Sequence, residues 1–160
     1  YVNGMSNGGG MTLALACALS DRIAAFGSVA GAYLVQWEDC LQSRPVPGVI
    51  FHSTEDPIIP YEGRYVDYSE YFLPAIEPWV AELAAHNGCS GDPSFMEINQ
   101  HVNETRYNNC GGDVLYYRVE GGGHTWPGGA VLPAIITGPT SQDIDATRVM
   151  WEFYQQHPLP

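Results

Sequence analysis

Short apolar runs, each bounded by turn-forming residues, recur along the chain. They are Ala24–Gly31 ("AAFGSVAG"), Val46–Ser53 ("VPGVIFHS") and Asp113–Glu120 ("DVLYYRVE"). Runs of this length without an alternating polar face are typical of buried strands, and the β-branched centre of the second run favours a central parallel strand. The pattern therefore predicts at least three strands in the interior of the protein.

Longer segments with helical character separate these runs. Met11–Leu19 is rich in alanine and leucine, which are good helix formers. Ala75–Gly88 ends in the stop signal Asn-Gly, and Asp143–Gln156 is followed by Pro158, which terminates a helix. The apolar residues at helical spacing in the second segment are Ile76, Val80, Leu83 and Ala84.

The order of these elements is typical of one fold class. Strands and helices alternate, which predicts an α/β fold with a mostly parallel sheet and flanking helices. Tyr61–Tyr71 is polar, has no clear period and is predicted to be a surface excursion, and Gly121–Gly129 is predicted to be a loop. No repeat or linker divides the chain, so we expect a single domain over residues 1–160.

Composition and charge exclude several partners. Apolar residues make up 45% of the 160 residues, which is enough for a core. The net charge is -12 and all six basic residues are arginine, so the surface would repel nucleic acid and anionic membranes. No stretch approaches the ~20 apolar residues of a membrane span. We therefore expect neither a nucleic-acid nor a membrane partner.

The four cysteines form no CxxC pair, which argues against a zinc site or a thioredoxin-like motif. An even number permits two disulfides in three connectivities. Cys89 and Cys110 both lie in Gly/Asn-rich loops, so we expect them to pair, and Cys17 to pair with Cys40. The alternative is four buried free thiols in a cytosolic protein.

A serine among glycines carries the main chemical signal. Gly4-Met5-Ser6-Asn7-Gly8 matches G-x-S-x-G, in which a strand turns abruptly into a helix and the serine side chain projects from the turn. The helix-forming run that follows is the context that the motif requires, and Tyr1–Asn3 is the end of the strand before it. The alternative explanation is a glycine-rich turn without chemistry.

A serine hydroxyl needs a base, and the base needs an orienting acid. On folds with this motif the chain order is Ser, then Asp or Glu, then His, with the later two in loops after strands. Asp56 lies just beyond one predicted strand and His124 beyond another, inside "GGGHTWPGG". The sequence therefore predicts Ser6, Asp56 and His124 as a catalytic triad.

Other side chains compete for these roles. Glu55 adjoins Asp56 but is expected to point away from it. Asp143 and Asp145 are more simply explained as caps of the last helix, and His52, at a strand end, as a hydrogen-bonded structural histidine. The remaining histidines, which we expect to be exposed, are His86, His101 and His157.

Four motifs together resemble a known family. They are "GMSNGGGM", "RPVPGVIFHSTEDPIIPY", "NGC" and "GGGHTWPGG", and the similarity runs over nearly the whole chain. The chain resembles the polyhydroxybutyrate depolymerase and feruloyl esterase family of α/β-hydrolases, which are often secreted. The resemblance implies that Ser6 is the nucleophile, Asp56 the acid and His124 the base, with the amide of Asn7 as one oxyanion donor. Two departures are Ser53, where the family usually has glycine, and one additional glycine after the serine.

The resemblance also implies a function. We expect a serine carboxylic-ester hydrolase that needs no cofactor or metal and acts on a feruloyl ester, an acetyl ester or a polyhydroxyalkanoate. Trp126 and Tyr61 lie close in sequence to the predicted triad and are candidates for apolar substrate-binding walls, with ordinary core packing as the alternative. We expect the protein to be secreted, with a leader outside this chain.

Members of the family have several strands before the serine, and a loop there supplies a second oxyanion amide. Almost no chain precedes Ser6 here. We therefore expect the C-terminal part of a larger esterase, completed by an N-terminal segment or by another copy in a homo-oligomer. The alternative function is that of a catalytically incomplete fragment that acts at most as a binding or interaction module.

Overall fold

A six-stranded sheet forms the centre of the protein. The computed structural model describes residues 1–66 and 71–159. The strands of the sheet are β1 (Val2–Met5), β2 (Phe26–Val29), β3 (Gly48–Ser53), β6 (Gly91–Asn99), β7 (Val102–Asn108) and β8 (Val114–Val119). Their order across the sheet is β1-β2-β3-β8-β7-β6, and β4 (Arg64–Val66) and β5 (Tyr71–Leu73) form a separate antiparallel pair.

The sheet is mostly parallel, as predicted. The pairings β1–β2, β2–β3 and β3–β8 are parallel, whereas β8–β7 and β7–β6 are antiparallel. The β6–β7 hairpin was not predicted from sequence. Most of β6 is exposed on both faces, so its apolar and polar residues do not alternate in the way that identifies a half-buried strand.

The helices are α1 (Asn7–Ala18), α2 (Ile76–His86), α3 (Ala134–Thr137) and α4 (Ala146–Gln155), and Trp37–Asp39 form a 3-10 turn. The three predicted helices are confirmed. However, α1 begins at Asn7, so the glycines expected to precede the helix form its first turn. Asp145 caps α4 by accepting a hydrogen bond from the Arg148 amide, as predicted, whereas Asp143 lies outside the cap.

The core lies on both faces of the sheet. One apolar cluster packs α1 and α2 against side chains such as Phe26 and Ile50, and the other packs α4 against Val49 and Phe51. Because β3 contributes successive residues to opposite faces, every position of this strand is buried. This arrangement explains why its sequence is a continuous apolar run.

Part of the predicted surface excursion is structured. Within Tyr61–Tyr71, the structure forms β4 and the first residue of β5, and Arg64 pairs with Leu73. Residues 67–70 of the segment lie outside the described residues. The predicted surface excursion therefore contains, at both of its ends, residues of a short antiparallel strand pair that the sequence pattern did not indicate.

Both predicted disulfides are present. Cys17–Cys40 joins α1 to the segment after the 3-10 turn, and Cys89–Cys110 joins the loop after α2 to the loop before β8. The alternative of four free thiols is therefore wrong. Within the described ranges, no helix combines the length and the apolar character needed to cross a membrane.

Candidate active site

The three residues predicted as a triad follow the carboxyl ends of parallel strands. Ser6 directly follows β1, Asp56 lies in the loop after β3, and His124 lies in the loop after β8. We call residues 54–60 the acid loop and residues 120–129 the histidine loop. Because these strands run parallel, their carboxyl ends meet at one edge of the sheet, where open α/β sheets bind ligands.

Ser6 has a strained backbone that its neighbours hold in place. Its φ is 60° and its ψ is -124°, a conformation that residues other than glycine rarely adopt. The Ser6 amide donates to the Val29 carbonyl at 3.0 Å, and the Ser6 carbonyl accepts from the amides of Gly10 and Ala32 at 3.1 Å each. The geometry is that of a sharp strand-to-helix turn, as the motif predicts.

Two glycines around Ser6, Gly4 and Gly10, are required by close backbone contacts. A Cβ atom on Gly4 would overlap the backbone of Gly8, because β1 and the first turn of α1 nearly touch. A Cβ atom on Gly10 would likewise overlap the carbonyl oxygen of Ala32. A Cβ atom on Gly8 itself would meet nothing within 4 Å, so the motif's two glycines have different roles.

Asp56 and His124 are joined by a buried hydrogen bond. Nδ1 of His124 and Oδ2 of Asp56 are 2.8 Å apart, and the two residues are only 6% and 5% exposed. The other carboxylate oxygen of Asp56, Oδ1, accepts the amides of Ile58 and Ile59 at 2.8 Å each. Both oxygens are therefore satisfied, and the carboxylate has a fixed orientation.

This bond decides the tautomer of His124. An ionised carboxylate only accepts hydrogen bonds, so Nδ1 of His124 carries the proton and donates it to Asp56. In the neutral ring, Nε2 is then unprotonated and able to accept a proton. That is the state that a general base for a serine hydroxyl requires.

The acid loop and the histidine loop are bonded to each other. The Thr54 amide donates to the Val119 carbonyl at 2.9 Å, and the Glu55 amide donates to the Gly122 carbonyl at 3.1 Å. A Cβ atom on Gly122 would lie 2.6 Å from the Ser53 hydroxyl oxygen, so this glycine makes room for the Ser53 side chain at the end of β3.

A further segment, residues 137–141, supports the histidine loop. The His124 amide donates to the Thr137 carbonyl, and the Gly123 amide donates to the Pro139 carbonyl at 2.8 Å. The sequence analysis did not assign a role to this segment. The only local signal is the Gly138-Pro139 pair, which marks a turn but not its contact with the histidine loop.

His52 lies beneath the acid loop and is 1% exposed. Its Nε2 is 2.9 Å from the Ile59 carbonyl oxygen and 3.6 Å from Oδ2 of Asp56. Burial lowers the pKa of His52, and the Ile59 carbonyl and the Asp56 charge oppose this shift only in part. The expected structural hydrogen bond of His52 is confirmed.

The other competing residues are placed away from the Asp56–His124 pair. Glu55 is exposed, and a carboxylate oxygen of Asp143 lies 3.4 Å from Nδ1 of His101. The expectation of exposure is corrected for His86, His101 and His157, all of which are half-buried. His157 is covered because its ring packs on Phe153 and contacts Asp113.

The candidate substrate walls lie on opposite faces of the sheet. Tyr61 packs on the α2 side, where its hydroxyl donates to Glu77 at 2.7 Å and accepts from Tyr116 at 3.0 Å. Trp126 packs on the α4 side, and its indole N–H donates to Thr147 at 3.0 Å. Trp126 also lines a cavity of about 130 Å³ together with Asn3, Thr147, Met150, Trp151 and Tyr154.

The structure joins Asp56 to His124 directly but does not join Ser6 to them. Among the described residues, no hydrogen bond links the Ser6 hydroxyl to the His124 imidazole. Catalytic hydrogen bonds are often long in proteins without substrate, so the pair of loops and the serine turn define a candidate site at one edge. In the described part of the chain, no three His, Cys, Asp or Glu side chains are grouped to hold a metal ion.

Comparison with other proteins reveals similarity to esterases. The chain is 29% identical over 168 residues to feruloyl esterase B of Piromyces equi, covering 100% of this chain and 28% of that protein. It is 27% identical over 174 residues to NocK of Nocardia uniformis subsp. tsuyamanensis, named as a candidate esterase, covering 96% and 50% respectively. It is 26% identical over 138 residues to "Probable feruloyl esterase C" of Aspergillus flavus, covering 83% and 45%.

These relatives are distant, and the chain spans 28% to 50% of their lengths. No protein-family model matches the chain. The similarities nevertheless agree in kind, since each of the three relatives is named as an esterase. They support a place for this chain among distant homologues of esterases.

Proposed function

We propose that the protein is a serine carboxylic-ester hydrolase with an α/β-hydrolase fold. Ser6 is the nucleophile, His124 the general base and Asp56 the residue that orients the base. The observation that carries the proposal is the buried 2.8 Å hydrogen bond between Asp56 and His124, at the same sheet edge as the strained turn of Ser6. The similarity to proteins named as esterases supports the same chemistry.

The reaction proceeds in two halves. Nε2 of His124 takes the proton from the Ser6 hydroxyl as Oγ attacks the ester carbonyl, and Asp56 stabilises the imidazolium that forms. The imidazolium then protonates the leaving alkoxide, which departs as the alcohol and leaves an acyl group on Ser6. Water activated by His124 attacks this acyl group, releases the carboxylic acid and returns the proton to Ser6.

The N-terminus of α1 supports stabilisation of the oxyanion. The Asn7 amide belongs to the first turn of α1, whose N–H groups have no acceptor within the helix. The partial positive charge of the helix N-terminus lies beside Ser6 for the same reason. We therefore assign the Asn7 amide as one oxyanion donor, a role whose loss typically costs about 100- to 1000-fold in rate.

The substrate is an ester with an uncharged acyl group, of the feruloyl, acetyl or polyhydroxyalkanoate type. The net charge of -12 disfavours anionic substrates, and two of the relatives are named as feruloyl esterases. Trp126 and Tyr61 are the candidate contacts for the acyl and alcohol groups, one on each side of the site. The two disulfides support an oxidising, extracellular location.

Hydrolysis of p-nitrophenyl acetate tests the proposal. We expect the protein to release nitrophenolate and the Ser6→Ala variant to lose about 10⁶-fold in kcat, which reduces it to background. Ser20→Ala, which removes a buried hydroxyl beyond the far end of α1, is the matched control and should retain activity. Equal activity in Ser6→Ala and the unaltered protein would exclude Ser6 as the nucleophile. Absence of activity in the folded, unaltered protein would favour the alternative, a binding module without catalysis.

The substrate class has its own test. Methyl ferulate and a short hydroxybutyrate oligomer are supplied separately, and the ratio of kcat/KM values identifies the preferred acyl group. Cleavage of methyl ferulate alone would support the feruloyl type, and cleavage of the oligomer alone the polyhydroxyalkanoate type. If acetate esters are cleaved and neither of the other two is, the specialised substrates do not apply to this protein.

A further inference from the structure

Besides its bonds to the end of β8 and to the histidine loop, the acid loop is held at two points around Ile59 by two side chains, only one of which belongs to the candidate triad. At the first point, Oδ1 of Asp56 accepts the Ile58 and Ile59 amides. At the second, the Ile59 carbonyl oxygen is 2.9 Å from Nε2 of His52. His52 is the second-to-last residue of β3. The peptide groups on either side of Ile59 are thus fixed by Asp56 and by His52.

The protonation state of His52 follows from its partner. A carbonyl oxygen can only accept, so Nε2 carries the proton and donates to Ile59. Nε2 of His52 also lies 3.6 Å from Oδ2 of Asp56, which is the oxygen that accepts the hydrogen bond from His124. Nδ1 is then the unprotonated nitrogen, and it is buried without a hydrogen-bond partner among the described residues.

We propose that His52 is a positioning residue that holds the acid loop so that the Asp56 carboxylate stays aligned with His124. Among the described residues, His52 reaches the candidate triad through its contacts with Ile59 and Asp56, and its 1% exposure keeps it from meeting a substrate. Without the His52 donor, the buried Ile59 carbonyl is unpaired, and Ile59 keeps the hydrogen bond from its amide to Asp56 but loses the one at its carbonyl. The inference rests on the proposed function for its kinetic test but not for its spectroscopic one.

The neutral state of His52 matters for the same alignment. A positive ring at this position would attract Asp56 and compete with the imidazolium of His124 for the same carboxylate oxygen. Burial keeps the pKa of His52 low, so the ring donates a hydrogen bond without carrying charge. Asp56 then serves His124 alone.

Three variants and one control test the inference. His52→Leu removes the donor, His52→Gln keeps an amide donor at a similar reach, and His52→Asn carries a shorter amide that does not reach Ile59. The control is Asn87→Leu, because Asn87 is also fully buried and also donates to backbone carbonyls, those of Val46 and Gly112, before β3 and β8. These carbonyls lie at the opposite edge of the sheet.

We expect His52→Leu and His52→Asn to lower kcat for p-nitrophenyl acetate by about 10- to 100-fold, as misplacement of catalytic groups does, with a smaller change in KM. His52→Gln should recover most of that loss. Asn87→Leu should lower the melting temperature while kcat of the folded protein is unchanged. The pair His52→Gln and His52→Asn remains informative even if the leucine variant does not fold.

Proton NMR supplies a readout that does not depend on activity. The Nδ1–H of His124, bonded to Asp56, should give a downfield resonance that is absent in His124→Ala. We expect this resonance to be broadened in His52→Leu and His52→Asn and to be intact in His52→Gln and Asn87→Leu. An intact resonance together with unchanged kcat in His52→Leu, or equal losses in Asn87→Leu, would overturn the inference. If no variant and no unaltered protein cleaves esters, the resonance alone decides it, and that inactivity counts against the proposed function.

Discussion

The two edges of the parallel part of the sheet differ in what they hold. At the carboxyl edge, Ser6 is strained and the Asp56–His124 pair is buried between loops. At the amino edge, the Asn87 side chain donates to the Val46 and Gly112 carbonyls at 2.9 Å and 3.1 Å. The Cys89–Cys110 disulfide lies beside these contacts. One edge carries the strained Ser6 and the buried Asp56–His124 pair, whereas the other carries bonds that tie the segments next to α2, β3 and β8 together.

The difference between the two edges indicates how the fold holds a strained residue in place. Strained residues persist only where the surrounding structure fixes them, and they cluster at functional sites. Here the strain of Ser6 is offset by its own three backbone hydrogen bonds, and by a rigid sheet that is secured at the opposite edge. We therefore expect substitutions of the Asp56 and His124 side chains at the carboxyl edge to affect mainly rate, and substitution of Asn87 at the amino edge to affect mainly stability.

The largest effect is expected at Asp56. Asp56→Asn keeps the shape of the side chain but favours the wrong tautomer of His124, so kcat should fall by about 10⁴-fold with little change in melting temperature. The matched control is Glu55→Gln, because Glu55 is adjacent and exposed and should leave kcat unchanged. Steady-state kinetics with p-nitrophenyl acetate measures both. Equal kcat in Asp56→Asn and the unaltered protein would contradict the assigned role.

The next effect is a change in stability at the glycines of the serine turn. We expect the two glycines of the motif, Gly4 and Gly8, to respond to alanine with opposite signs. Gly4→Ala forces backbone against backbone at Gly8 and should destabilise the protein by about 1–3 kcal/mol. Gly8→Ala meets nothing within 4 Å and should stabilise α1 by about 0.5–1 kcal/mol. Chemical denaturation of the two variants gives both values. If both substitutions changed the free energy of unfolding in the same direction, the close contact described between β1 and the first turn of α1 would be contradicted.

At the amino edge, Asn87→Leu should reverse the pattern expected for Asp56. Two buried carbonyls lose their donor, so the free energy of unfolding should fall by about 1–3 kcal/mol. The kcat value per folded molecule should be unchanged, because the candidate triad lies at the other end of the strands. Paired measurement of unfolding and kinetics tests this separation, and a parallel loss of kcat would show that the two edges are coupled.

The last effect is the pH dependence that His52 adds, which is small near neutral pH. Because burial keeps the pKa of His52 low in the folded state, the unfolded chain binds a proton there below about pH 6.5 while the folded protein does not. Stability should therefore fall as pH drops below 6.5, by up to about 1.4 kcal/mol per pH unit from this group. His52→Gln lacks the proton site, so its unfolding free energy should vary less between pH 6.5 and 5. Identical slopes in the two proteins would refute this assignment.

The sequence predicts β2, β3 and β8 well because these parallel strands are buried on both faces. The strand Val46–Ser53 and the helix Ala75–Gly88 were predicted within two residues of their observed ends, and both disulfides were predicted correctly. The β6–β7 hairpin was missed because its edge strand is largely exposed and has no period. The start of α1 was placed four residues late, because glycine disfavours helix interiors and here is required by close contacts instead.

In the candidate site, too, some features were predicted from the sequence and others were not. The loops that hold Asp56 and His124 were identified from glycines, prolines and chain order, and the two side chains meet as that order predicts. The contact of His52 with Ile59 and the support from residues 137–141 depend on backbone carbonyls, which carry no residue signature. The roles of Ser6, Asp56 and His124 in catalysis stay predictions, since the hydroxyl and the imidazole are not hydrogen-bonded.

Covalent labelling tests most directly whether His124 activates the Ser6 hydroxyl. A fluorophosphonate probe reacts with serines that a neighbouring base activates, and mass spectrometry of the intact and digested protein locates the adduct. We predict a single phosphonyl group on Ser6, no adduct in Ser6→Ala and much slower labelling in His124→Ala. An adduct on another residue, or labelling of Ser6 at the same rate in His124→Ala, would contradict the claim that these side chains act as one catalytic unit.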